Sequence, residues 1–156
     1  MDITDLIAPE AVLSSLRVHT KKQLLQELAA RAAQLSGVLE RRIFESLLER
    51  ERLGSTGMGQ GIAIPHARIA GLTRILGVFV RLESPIPYEA IDGQTVDLVF
   101  LLLTPEEAGA DHLKALATVS RLLRSQTACE KLRAANKPEV LYALLTERTN
   151  RRQQAA

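Results

Sequence analysis

The chain has 156 residues, 46% hydrophobic and 24% charged, the proportions of one globular domain with its own core, which excludes a largely disordered chain and a membrane span. Aromatics amount to 3% with no tryptophan, and 20 Lys+Arg against 18 Asp+Glu leave a formal charge of +2 without a sustained basic block before Arg151-Arg152, so nucleic acid is not indicated. The single Cys129 excludes an internal disulfide, and the start Met1-Asp2-Ile3-Thr4-Asp5 is acidic where a secretory leader is basic and then apolar, so a reducing cytoplasm is expected.

In chain order, Ala11-Val12-Leu13 reads as a short strand. Thr20-Lys21-Lys22-Gln23 is a capping-box signature, and Leu24, Leu25, Leu28, Ala32 and Leu35 recur at helical spacing until Gly37. A second helix is expected from Leu39 to Leu53, with Ile43, Phe44, Leu47 and Leu48 inside and Glu45, Glu49, Arg50, Glu51 and Arg52 largely outside. Gly61-Ile62-Ala63-Ile64 is a short strand, and the runs Ile75 to Val80 and Val96 to Leu103 read as strands covered on both faces. Pro85, Pro87 and Asp92-Gly93 mark the connection between them. Helices return with a stripe of Leu113, Leu116, Ala117, Ser120 and Leu123, then Ala128 to Ala135, where Cys129 reads as a buried thiol, then a helix opened by Pro138 and running through Leu145. These elements predict a three-layer α/β/α sandwich with a central mixed sheet, one domain over residues 1–148 and a flexible tail at 149–156.

The chemistry concentrates where Ala63-Ile64-Pro65-His66-Ala67-Arg68 follows the glycine-spaced run Gly54-Ser55-Thr56-Gly57-Met58-Gly59-Gln60-Gly61. Glycines let successive backbone N–H groups converge on an anion, and Ser55 and Thr56 add hydroxyls, so Ser55, Thr56, Gly57 and Gly59 are candidate phosphate-binding residues. Imidazole is nucleophilic when neutral, which makes His66 a candidate phosphoryl acceptor; the bland alternative is a turn followed by a satisfied histidine. His112 follows Asp111 at a helix start, where free N–H groups and the macrodipole favour an anion and a neutral ring; the equal alternative on local grounds is a capping or surface histidine. His19 reads as a loop residue before the capping Thr20. No histidine pair or histidine–carboxylate pair has metal-ligand spacing, and neither a G-x-S-x-G elbow nor a Walker loop is present.

Four segments carry a resemblance. Arg50-Glu51-Arg52-Leu53-Gly54-Ser55-Thr56-Gly57-Met58-Gly59, Gly61-Ile62-Ala63-Ile64-Pro65-His66, Ile91-Asp92-Gly93-Gln94-Thr95-Val96-Asp97-Leu98-Val99 and His112-Leu113-Lys114-Ala115-Leu116 together strongly resemble the IIA domains of the mannitol/fructose class of the bacterial phosphotransferase system. Within that class the chain looks most like the free-standing, nitrogen-related regulatory members. The resemblance implies that His66 accepts a phosphoryl group from an HPr-like phosphocarrier, that His112 steadies its oxygens, and that Arg50 lies beside the site, with Arg52 as the local competitor. It also implies signalling through phosphorylation-dependent binding to other proteins, such as transport or sensor components. The alternatives are a sugar-specific IIA component passing phosphate to a IIB domain, and a binding-only regulator. Ala67 departs from the glycine that the family often has after the histidine, which bears on local loop geometry.

Such a transfer needs positioning and electrostatic stabilisation and calls for no cofactor or metal. His66 must present an unprotonated nitrogen, which an ordinary pKa of about 6.5 mostly satisfies at neutral pH, and its other nitrogen should be held by a backbone carbonyl. Met58, Ile62, Ile69 and Leu72 are candidates for an apolar docking surface, with core packing the equal alternative for the two isoleucines.

Overall fold

The computed structural model describes residues 1–147; the tail expected at 149–156 lies outside them. Two short 3-10 turns, Ile3–Asp5 and Pro9–Ala11, lead into β1 (Val12–Leu16), α1 (Lys21–Ser36), α2 (Glu40–Leu53), β2 (Gly57–Gly59), β3 (Ile62–Ala63), β4 (His66–Ile69), β5 (Leu76–Ile86), β6 (Val96–Pro105), α3 (Ala110–Leu123), α4 (Gln126–Ala134) and α5 (Pro138–Leu145).

A strand with no polar alternation must be covered on both faces, and β6 obeys: every residue from Leu98 to Thr104 is fully buried. β5 lies antiparallel to it, with Phe79 opposite Phe100, and β1 runs parallel to β5. On its other side β6 is flanked by two parallel segments laid end to end, β3 opposite Leu98 and Val99 and β4 opposite Leu102 to Pro105. The interruption falls at Ile64-Pro65, where proline has no N–H for a ladder. β2 pairs antiparallel with β3, giving the order β1-β5-β6-β3-β2 with β4 also on β6. The sheet is mixed and helices cover both faces, α1 and α2 forming one group and α3, α4 and α5 the other.

α1 begins where Thr20 Oγ1 accepts from the Gln23 N–H at 3.1 Å and ends at Gly37, whose φ of +79° suits glycine. Leu35, expected in its stripe, sits at the rim instead, while Ala29 is buried. Two expectations about helix faces change more deeply. In α3 the buried residues are His112, Ala115, Val119, Leu122 and Leu123, whereas Leu113 is 68% exposed. Both Leu113–Leu116–Ser120 and His112–Ala115–Val119 satisfy helical spacing, and the attachment of His112 to β6 decides which turns inward. In α2, Arg50 is half-buried and the Glu51 side chain only 6% exposed, because the last turn runs against β4 and the loop that follows.

Candidate active site

His66 opens β4 immediately after the Pro65 interruption. The break leaves the Ile64 carbonyl free to turn back, and His66 Nδ1–H donates to it at 2.8 Å. A carbonyl can only accept, so the proton is fixed on Nδ1 and the lone pair on Nε2. Arg50 Nε–H donates to that Nε2 at 3.3 Å while its Nη1 donates to the Gly54 carbonyl at 2.9 Å. Burial holds the His66 pKa below the usual imidazole value; the Ile64 bond and the Glu51 charge oppose this, and Arg50 reinforces it. Burial thus favours the neutral ring, and the bond to Ile64 defines its tautomer.

His112, in the first turn of α3, is 8% exposed, and its Nδ1 lies 2.6 Å from the hydroxyl of Thr104, a fully buried residue of β6. The two imidazole centroids are 5.8 Å apart, with planes inclined at 54°. Burial lowers the His112 pKa, and the charges of Arg68 and His66 lower it further. Arg68 follows His66 by two residues on β4, hence on the same face, and its guanidinium donates to Gly109 at 3.4 Å, just before α3. Thr104 lies beyond Leu103, the expected end of its strand; a polar residue closing an apolar run is its only signal in the sequence.

The structure thus joins His66, His112 and Arg50, and leaves Arg52 exposed on α2. The glycine-rich run is a different object from an open anion nest. Ser55 Oγ donates to the Tyr88 carbonyl at 3.2 Å and accepts from the Gly57 N–H at 3.1 Å. The Thr56 N–H donates to the Glu51 carboxylate at 3.2 Å, and its hydroxyl meets both Glu51 and, at 2.9 Å, the Tyr88 hydroxyl. These donors are taken up by protein acceptors rather than left open toward the imidazole. Gly57 and Gly59 belong to β2; a Cβ on Gly57 would stand 2.7 Å from that of Ala90, and Gly59 at φ +95° and Gln60 at φ +57° make the turn into β3. Ala67 is a buried strand residue opposite Leu103, so no glycine is needed there. His19 contributes its backbone N–H to Gln23, part of the α1 cap.

Beside His66 a depression of 290 Å³ is lined by Met58, Ile64, Leu116, Ala117, Ser120 and Arg124. It adjoins one of 420 Å³ that extends along Ile62 and Leu123. Of the expected docking residues only Met58 is exposed; Ile62, Ile69 and Leu72 pack in the core, since β3, β4 and the turn after β4 point them inward.

The family model described as "Phosphoenolpyruvate-dependent sugar phosphotransferase system, EIIA 2" matches residues 5–148. The nitrogen regulatory protein of Bradyrhizobium diazoefficiens is 59% identical over 145 residues, covering 93% of this chain and 95% of that protein. The nitrogen regulatory protein of Escherichia coli K12 is 40% identical over 148 residues, 94% of this chain and 91% of that one. The crystal structure of nitrogen regulatory protein IIA-Ntr from Neisseria meningitidis superposes with a TM-score of 0.87 at 35% identity, over 92% of this chain and 99% of that chain. With the family's match running through nearly all of the sheet and helices that hold the two imidazoles, this chain belongs to the EIIA type 2 family of the phosphotransferase system.

Proposed function

We propose that His66 Nε2 accepts a phosphoryl group from the phosphohistidine of an HPr-like carrier and that the resulting charge regulates binding to other proteins. The observation that carries the reading is the tautomer lock: Nδ1 is committed to the Ile64 carbonyl at 2.8 Å, so only Nε2 can attack. In the transfer the Nε2 lone pair forms the new N–P bond as the carrier's N–P bond breaks and its electron pair returns to the carrier's imidazole. The Nδ1–H of His66 stays on Ile64, which stabilises the charge gained by the ring. Arg50, freed from Nε2 when the lone pair is used, turns its N–H to a phosphoryl oxygen. His112 presents Nε2–H to another oxygen when the Thr104 hydroxyl donates to its Nδ1. Fixed donors of this kind act where the charge lies and need no reorganisation.

The regulatory half of the reading is supported by relatives named nitrogen regulatory protein that match this chain over nearly their whole length. The encounter with the carrier belongs, on this reading, to the cytoplasm; among the described residues no helix is long and apolar enough to cross a membrane. Incubation with phosphoenolpyruvate, enzyme I and carriers of the nitrogen and sugar branches tests the proposal. The expected result is an acid-labile phosphate on His66 Nε2, identified by nitrogen-15 and phosphorus NMR, with faster labelling from the nitrogen branch and none in His66→Ala. Full labelling of His66→Ala removes the acceptor assignment; rapid onward transfer to a IIB domain, with preference for the sugar branch, replaces regulation by sugar transport.

A further inference from the structure

We infer that Glu51 is a positioning residue for the acceptor site: its buried carboxylate, held by Lys21, Thr56 and Tyr88, fixes the last turn of α2 and so places the Arg50 guanidinium on His66. The inference rests on the acceptor reading given above and adds a residue to it.

Lys21 Nζ donates to Glu51 at 3.0 Å from the first turn of α1, and the Tyr88 hydroxyl donates at 3.2 Å from the segment after β5. With the Thr56 N–H and hydroxyl, elements far apart in sequence converge on one carboxylate that is 6% exposed. Removing such a group from water is costly, and an apolar side chain would hold a helix end with less penalty. What a carboxylate supplies is direction, since each donor fixes it along a different line.

The direction matters because of what adjoins it. Arg50 grips Gly54 by Nη1 and His66 by Nε, while Glu51 grips Thr56, so the two neighbours hold both ends of the same short loop. Loss of the Glu51 carboxylate removes this side of the clasp and leaves the loop on its backbone bonds, the Ile64 N–H to the Thr56 carbonyl at 3.0 Å and the Gly54 N–H to the Glu51 carbonyl at 3.2 Å, which loosens Gly54, one of the two anchors of the guanidinium. Tyr88 is 1% exposed and Lys21 lies 4.6 Å above its ring, so the carboxylate is enclosed by partners that cannot easily follow it elsewhere.

The test compares Glu51→Gln, Arg50→Ala and the double variant in single-turnover transfer from phosphorylated carrier, with folding checked by amide NMR. Glu51→Gln should slow transfer at saturating carrier about tenfold and leave half-saturation unchanged, as expected when a reacting group is displaced while the docking surface stays intact. In the Arg50→Ala background the same change should cost less than about twofold, because the two act as a unit. Equal slowing in both backgrounds, or none in either, overturns the assignment. If Glu51→Gln does not fold, Tyr88→Phe, which removes one hydroxyl, takes its place beside Arg50→Ala: a slowing that largely disappears in the Arg50→Ala background supports the assignment, and equal slowing or none overturns it.

A second readout does not depend on transfer. Solvent exchange of the Arg50 Nε–H in the unphosphorylated protein should be at least about fivefold faster in Glu51→Gln, since its bond to His66 is then intermittent. Unchanged exchange overturns the positioning role. Failure of the wild-type protein to accept phosphate, with exchange still accelerated in the variant, instead overturns the acceptor reading and leaves the geometry standing.

Discussion

Two imidazoles 5.8 Å apart would repel each other if both were protonated, and burial keeps both neutral below the pH at which free histidine charges. Because both folded pKa values lie under the ordinary 6.5, the unfolded chain binds protons in that window that the folded chain refuses. Stability contributed by these rings is therefore complete above the unfolded value and is lost as pH falls through it toward the folded values. Urea midpoints measured from about pH 8 to about pH 5 should drop on the acid side, and should drop less in a His66→Asn, His112→Asn double variant. Acceptor activity should likewise remain flat to a lower pH than the titration of free imidazole. Thr104→Val, nearly isosteric, removes the partner of His112 Nδ1 and should lower stability by about 1 kcal/mol while slowing transfer and shortening the life of the phosphoprotein. At this scale the grouping of His66, His112 and Arg50 was anticipated by the family resemblance of the segments that carry them, and the three side chains do lie together. Thr104 and Glu51 were not anticipated: a threonine at the end of an apolar run and one glutamate among several on a charged helix have nothing in the sequence to mark what they touch.

Elements were legible where one pattern has one solution. The long apolar strand, the Thr20 cap and the Gly37 stop each specify a local structure. β4 escaped because its four residues begin with histidine and include an exposed arginine, and it owes its pairing to β6 rather than to its own composition. The face of α3 escaped because adjacent stripes both have helical spacing. The glycine run escaped for a third reason, since close approach and positive φ select glycine as strongly as an anion does. Gly57→Ala checks that account: with Ala90 Cβ 2.7 Å from the added carbon and Ala90 Cα at 2.8 Å, it should destabilise the fold by about 1–3 kcal/mol in denaturant titration. An unaltered midpoint would return Gly57 to a role in binding.

For the whole molecule, the turned face of α3 borders the site. Leu116 and Ala117 line the depression beside His66 with Met58, which is half exposed, while Arg124 stands at the same depression. An apolar floor with a cationic margin suits a protein that brings a phosphoryl group and must exclude water around it. Met58→Asp should raise the half-saturation for phosphorylated carrier by tenfold or about 1.4 kcal/mol, leave the rate at saturation nearly unchanged, and shift stability by no more than about 0.5 kcal/mol. Carrier titration in single-turnover assays and a thermal melt measure the three quantities. The fold class itself was readable from the order of helices and strands; this surface was not, because it depends on how one helix is rotated.

His66 stands opposite Leu102, and Thr104, the support of His112, comes two residues later on the same strand. The gap between the rings is thus ruled off by the pitch of a backbone sealed between two helical layers, not by loops that breathe. A visiting carrier can reshape the rim, yet on the proposed reading the interval between the acceptor ring and the ring that steadies the phosphoryl oxygens stays the same for every visitor, so discrimination among carriers would reside in docking and not in the width of the reaction centre.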